Sequence, residues 1–215
     1  MNLELFDIQG IVGRGYGKHP SAAYLLLEVE SPALARRWLA DQVERVHTCE
    51  QPPDPDAPCF NIAFTHAGLE ALGLDAEALN TFPSELKEGM TEPERSRALG
   101  DEGGAADPES SPRHWDWGGT AAGQRPVHLM LMVFAPSEAD LETTIAELSL
   151  LLRPGGLSLV RRLDTALLAD QEGGVREHFG FRDAISQPGI AGLHRTTAGQ
   201  PLVPAGEFIL GYENA

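Results

Sequence analysis

The residues predict an α+β domain of the ferredoxin-like, split βαβ kind: an antiparallel sheet with its helices on one face, plus a long insertion. Three observations carry this. Four apolar runs of strand length recur along residues 1–215, taken as one domain. Two segments with helical apolar spacing each follow a strand. A stretch rich in Gly, Pro, Glu and Ser, about 75–126, separates the second strand from the third.

Ala22 to Val29 (AAYLLLEV) is a continuous apolar run suited to a buried strand. Ser31 then stands as N-cap with Pro32 at the first helical position, and Leu34, Trp38, Leu39, Val43 and Val46 supply an apolar stripe to about His47. After an acidic loop, Cys59 to Thr65 alternates Phe60, Ile62 and Phe64 on one face and reads as the second strand. His66 to Leu74 is a short helix closed by glycine. The insertion is too long for a structureless loop, so it is expected to carry short helices, around 92–99 for example, and to pack on the surface or on a partner. Val127 to Ala135 is the third strand. Ser137 caps a helix marked by Leu141, Ile145, Leu148 and Leu152, with Asp140 placed to complete a capping box. Pro154-Gly155-Gly156 ends it, and Leu157 to Leu168 is the fourth strand. A βαβ crossover in such a sheet is right-handed.

Composition narrows the partners. Sixteen Lys and Arg against thirty-two Asp and Glu give a formal charge of −16, which repels phosphate backbones and anionic membrane surfaces, so nucleic acid and membrane are set aside. No apolar run approaches the roughly twenty residues that span a bilayer. The opening MNLELFDIQG has no basic region leading into an apolar one, and two cysteines, Cys49 and Cys59, make no disulfide framework. A cytoplasmic, reduced, soluble protein is the expectation. The glycines at 10, 15 and 17 precede a strand rather than a helix, which argues against a dinucleotide loop. His114 and Asp116 in His-Trp-Asp-Trp offer two metal ligands at most, so no metal site is assigned and an aromatic anchor is the better reading.

The chemistry concentrates in Glu177 to Ile190, EHFGFRDAISQPGI. Asp183 follows the apolar Phe179-Gly180-Phe181 and precedes a Ser186-Gln187-Pro188-Gly189 breaker. That places a carboxylate at the end of a hydrophobic strand, partly stripped of water, where its pKa can rise into the range useful for proton transfer. The same residues also suit a plain turn with an Asp cap.

Gly180-Phe181-Arg182-Asp183 with Ile185-Ser186-Gln187-Pro188 resembles the Gly-x-x-Asp-Gly motif of the dye-decolorizing (DyP-type) haem peroxidases. Asp7-Ile8-Gln9-Gly10, the Trp115 and Gly118 spacing, and Gly206-Glu207-Phe208-Ile209-Leu210-Gly211-Tyr212 are similar to the family as well. The resemblance implies that Asp183 is the distal acid. It would move a proton between the two oxygens of hydrogen peroxide, with Phe181, Ala184, Ile185, Ser186 and Gln187 lining bound haem b. Ala184 departs from the motif's second glycine. The family's iron-ligating histidine and distal arginine come from a second ferredoxin-like half, and neither has a matching position here. A ligand from His178 or His194, on the acid's own segment, would fill the position peroxide needs.

The expectation is therefore the N-terminal half of such a peroxidase. It would supply the acid but not the proximal ligand, and would work with a missing C-terminal half or as a homo-oligomer on peroxide and an aromatic reductant. Tyr16, Tyr24, Trp38, Trp115, Trp117 and Tyr212 are candidate electron-relay aromatics. The alternative is a diverged or truncated haem-free module, a binding or assembly subunit, whose bare sheet face would be covered by self-association.

Overall fold

The computed structural model describes residues 2–102, 108–165, 167–169, 174–182, 188–195, 199 and 201–214. A strap at the N-terminus carries one helical turn, α1 (Gly10–Gly13), and leads into β1 (Ser21–Val29) and α2 (Pro32–Gln42). Then come β2 (Cys59–Phe64) and α3 (His66–Ala71), followed by the insertion with α4 (Ala76–Thr81), α5 (Ser84–Glu88) and α6 (Pro93–Leu99). β3 (Leu129–Ala135), α7 (Glu138–Leu152) and β4 (Leu157–Thr165) complete the main sheet. Its order is β2-β3-β1-β4 and every pairing is antiparallel. β3 thus lies between β1 and β2, and β1 between β3 and β4, so each βαβ unit is split by a strand of the other. This is the ferredoxin-like arrangement.

The core sits between the sheet and two helices. Ala23, Leu25, Leu27 and Val29 alternate from β1, and Leu129, Leu131 and Val133 from β3, onto Trp38 of α2 and Leu141, Ile145, Leu148 and Leu152 of α7. Each fully buried leucine there contributes about 1.5–3 kcal/mol relative to exposure. The Pro-Gly-Gly stop after α7 has a second role. A Cβ on Gly155 would lie 2.6 Å from Trp38 Cδ1, so only glycine lets the indole seat against the backbone. The Gly156 carbonyl accepts from Glu30 and Ser31 N–H (2.9 and 3.0 Å), stapling the end of α7 to the start of α2.

Several boundaries differ from the sequence reading. The second helical segment stops at Gln42, and Val43–Arg45 continues as a 3-10 turn with Val43 exposed. Ser31 occupies the N-cap position without a side-chain hydrogen bond; Pro32 and the Gly156 carbonyl define that end instead. Ser137 Oγ accepts from Asp140 N–H (3.2 Å) and donates to the Asp140 carboxylate (2.5 Å), a side-chain pair in place of the reciprocal box. The third strand begins at Leu129, since His128 spends its N–H on the Leu27 carbonyl and its Nδ1 on the Val29 N–H. β4 ends at Thr165, and Leu168 belongs to a separate ladder.

The helix-free sheet face is not bare. Leu26 and Met132 are buried there, and the Tyr16 ring from the strap lies 4.5 Å from that of Phe134. Among the described residues no helix is long and apolar enough to cross a membrane.

Candidate functional site

The Asp-Ile-Gln-Gly phrase organises a buried polar network on that second face. Ile8 is buried, and the Gln9 amide grips Ile62 of β2: Nε2 donates to its carbonyl and Oε1 accepts from its N–H, both at 2.8 Å. Gly10 lies so close to His47 that a Cβ would fall 1.8 Å from Nδ1. His47 Nε2 faces the Gln51 carbonyl (3.1 Å), so that nitrogen carries the proton and Nδ1 is an acceptor. The Tyr16 hydroxyl donates to that Nδ1 (3.0 Å) and accepts from Asn61 Nδ2 (2.8 Å), while Asn61 Oδ1 accepts from Ile11 N–H (3.0 Å). Burial pushes the Tyr16 phenol up to about 12 and holds the His47 imidazole below its ordinary range. The network is a structural clasp that ties the strap to the sheet.

The segment expected to bear the acid is tied down on both sides. Upstream, β5 (Leu168–Ala169) pairs antiparallel with β6 (Val175–Arg176). From β6 the chain makes a tight reversal. Glu177 N–H donates to the Phe181 carbonyl and Gly180 N–H to the Glu177 carbonyl (both 2.9 Å), with Gly180 at φ +88°. Phe179 and Phe181 stand out from this hairpin, 87% and 70% exposed. The expected hydrophobic strand leaving the core is therefore corrected: the φ of Gly180 turns the run into a projecting hairpin. Downstream, β7 (Gly189–Ile190) runs parallel to β8 (Leu202–Val203).

Asp183, Ala184, Ile185, Ser186 and Gln187 lie outside the described residues. The chain downstream rests on the strap at two points. His194 Nε2 lies 2.7 Å from the Gly13 carbonyl, and its Nδ1 accepts from Ile190 N–H (2.9 Å). The Tyr212 hydroxyl accepts from Glu4 N–H (3.0 Å), and Gly206 N–H donates to the Glu213 carbonyl (3.0 Å). The two phrases that resemble the peroxidase family at the chain's ends thus meet in space. The clasp side chains Gln9, Tyr16, His47 and Asn61 were the ones sequence reasoning missed. Gln9 and Tyr16 enter that reading for other reasons, and the further signal is a polar Asn61 inside an apolar strand.

Several histidine rings among the described residues are spent on backbone partners. His194 has both ring nitrogens committed, so it is no ligand. His19 Nε2 faces the carbonyls of Asp54 and Ala57 (3.1 and 2.9 Å), and His66 Nε2 that of Leu79 (3.3 Å). His47 and His128 are engaged as above. His178 sits on the exposed hairpin, on the acid's own segment. Cys49 and Cys59 are free and buried, and burial raises both thiols, Cys59 to about 11, which disfavours the thiolate a metal needs. No group of three or more His, Cys, Asp or Glu among the described residues is placed to hold a metal ion. Of the relay aromatics, Tyr16 and Trp38 are buried and Trp115 is a half-buried anchor whose Nε1 donates to the Ser110 carbonyl (2.7 Å), leaving Trp117 the most exposed tryptophan.

The fold is a ferredoxin-like α+β unit, and it is similar to that of solved DyP-type peroxidases. The chain is similar in structure to an ancestral D-type dye-decolorizing peroxidase (TM-score 0.78, 24% identity, covering 99% of this chain and 45% of that one). A fungal DyP-type peroxidase from Auricularia auricula-judae gives a TM-score of 0.77 at 23% identity, covering 100% of this chain and 44% of that one. In sequence it is 30% identical to a dye-decolorizing peroxidase of Mycena epipterygia over 97% of this chain and 37% of the relative. It is 26% identical to dye-decolorizing peroxidase msp1 of Mycetinis scorodonius over 99% and 39%. No family model matches. By sequence and by fold the chain is similar to DyP-type peroxidases, and it spans about two fifths of the length of the curated relatives it matches.

Proposed function

We propose that this chain is the acid-bearing portion of a DyP-type haem peroxidase, acting with an axial iron ligand that lies outside these 215 residues. The observation that carries the reading is the match over 97% and 99% of this chain to relatives of which it spans only 37% and 39%. Asp183 is the proton-transfer group, taking a proton from one peroxide oxygen and returning it to the other. Haem b, when bound, supplies the oxidising chemistry, and an aromatic molecule is the reductant. The iron ligand would be contributed by further chain or by a second polypeptide.

Haem titration of the 215-residue chain, alone and combined with a polypeptide corresponding to the rest of a DyP relative, tests this. The expected result is Soret absorbance and peroxide turnover only in combination, with Asp183→Asn lowering turnover by about 10²–10⁴, the range of general acid–base catalysis. Stoichiometric haem and turnover by the chain alone would overturn the shared site. The second reading, a haem-free binding or assembly module, is favoured by the projecting Phe179 and Phe181. Failure to take haem in either setting, with stable association of the two polypeptides, would select it.

A further inference from the structure

A cleft of about 920 Å³ opens between the insertion and the β2–β3 end of the sheet, away from the hairpin that leads to Asp183. Its size falls within the range of small-molecule sites. Leu86, Met90 and Trp117 line it and leave 37%, 53% and 40% of their surface exposed, with Trp115 beside them. Three large apolar side chains converging on one concavity is a concentration that isolated surface hydrophobes do not show.

The charged groups decide the ligand. Glu88 is paired with Arg95 (3.5 Å), Asp116 with Arg161 (3.2 Å) and Arg125 with Glu28 (2.7 Å). Lys87 lines the same cleft without an ion pair; its Nζ has only the Asn80 carbonyl at 3.4 Å. Among the described residues Lys87 thus stands in the cleft as a cation without an ion-pair partner, beside aromatic and aliphatic walls. The protein's charge of −16 repels anions at long range, but within a Debye length of about 8 Å at physiological salt the nearest group prevails.

The walls are held in advance. Gln124 Oε1 accepts from Gly119 N–H (2.8 Å) while its Nε2 donates to the Trp115 carbonyl, and Trp115 Nε1 is fixed on Ser110. A Cβ on Gly119 would meet the Pro112 carbonyl at 2.1 Å, so this turn closes only around glycine. The Trp115 side of the cleft is thereby preorganised, which lowers the ordering cost of binding there.

We propose that this cleft binds a planar aromatic molecule bearing one carboxylate, the ring packed on Trp117 and Met90 and the carboxylate paired with Lys87. The site stands apart from the peroxidase reading and survives its failure. The test is calorimetric titration of the chain with 2-naphthoate and with uncharged 2-naphthamide. One molecule of naphthoate should bind per chain, roughly fivefold tighter than the amide, the upper range of a solvent-accessible ion pair. Lys87→Met should abolish that preference while leaving the amide's affinity intact, and Trp117→Ala should weaken both ligands roughly fivefold through lost ring contact. Absence of saturable binding, or a naphthoate preference that persists in Lys87→Met, would overturn the proposal.

Discussion

Gln9 is bound to Ile62 as a neighbouring strand residue would be: one amide side chain satisfies both the N–H and the carbonyl of a β2 residue, each at 2.8 Å. β2 is an edge strand, and an edge with unsatisfied backbone groups invites pairing with other chains. Together with the Val46–Phe60 bridge, the Gln9–Ile62 pair closes that edge, and it fixes the strap's register, which in turn sets Gly10 against His47 and Tyr16 against Phe134.

Gln9→Ala should therefore destabilise the chain by about 1–3 kcal/mol, the cost of leaving buried backbone groups unpaired. The urea midpoint should fall and self-association should rise as the edge opens. Gln9→Glu keeps an acceptor but loses the donor to the Ile62 carbonyl, so it should lie between the wild type and the alanine variant. A Gln9→Ala midpoint equal to that of the wild type would show that the strap is held by its other contacts without Gln9.

The clasp should also be sensitive to acid. Burial holds the His47 and His128 imidazoles below their ordinary range, so at mildly acidic pH the unfolded chain binds protons that the folded chain refuses. Stability contributed by the neutral rings is full above the unfolded value near 6.5 and is lost as pH falls through it, levelling off below the folded values. Protonated His47 also repels the Tyr16 hydroxyl proton that its Nδ1 now accepts. Relief of the −16 charge on acidification works in the opposite direction, so the informative quantity is a difference. Between pH 8 and 5 the urea midpoint of His47→Gln should fall less, or rise more, than that of the wild type. Parallel pH profiles would remove His47 from the account.

Much of the main sheet was legible because its signals are local. Continuous apolar runs mark β1 and β3, alternation marks β2, a helical period marks α7, and the glycine stop after α7 needs no partner to be recognised. What the sequence obscured was the destination of apolar residues. Val43 and Val46 extend a helical stripe in the sequence, yet the helix has ended and Val43 faces solvent. Leu167 and Leu168 extend a strand that has already left the sheet. Phe179 and Phe181 read as a strand bound for the core until Gly180 turns them outward. Apolar alternation states that a face needs cover, not which surface provides it. The clasp was hidden for a related reason: Gln9, Tyr16, His47 and Asn61 share no period and meet only after β2 and the strap are assembled.

The hairpin supplies the sharpest separation of stability from function. Phe179 and Phe181 are largely solvent-exposed, so Phe179→Ser and Phe181→Ser should each change the chain's own stability by less than about 0.5 kcal/mol, as surface substitutions do. Their effect should appear only on assembly. On the proposed function, Phe181→Ser combined with a polypeptide corresponding to the rest of a DyP relative should load less haem than the wild type, because Phe181 precedes Asp183 by two residues and shares its segment. Phe179→Ser, at the far side of the Gly180 turn, should affect association more than haem loading. A fall in urea midpoint for either variant alone would mean that the hairpin packs against its own chain. Unchanged haem loading and association in both would remove these phenylalanines from the shared site and leave Asp183 to be presented by the anchors at His194 and Tyr212.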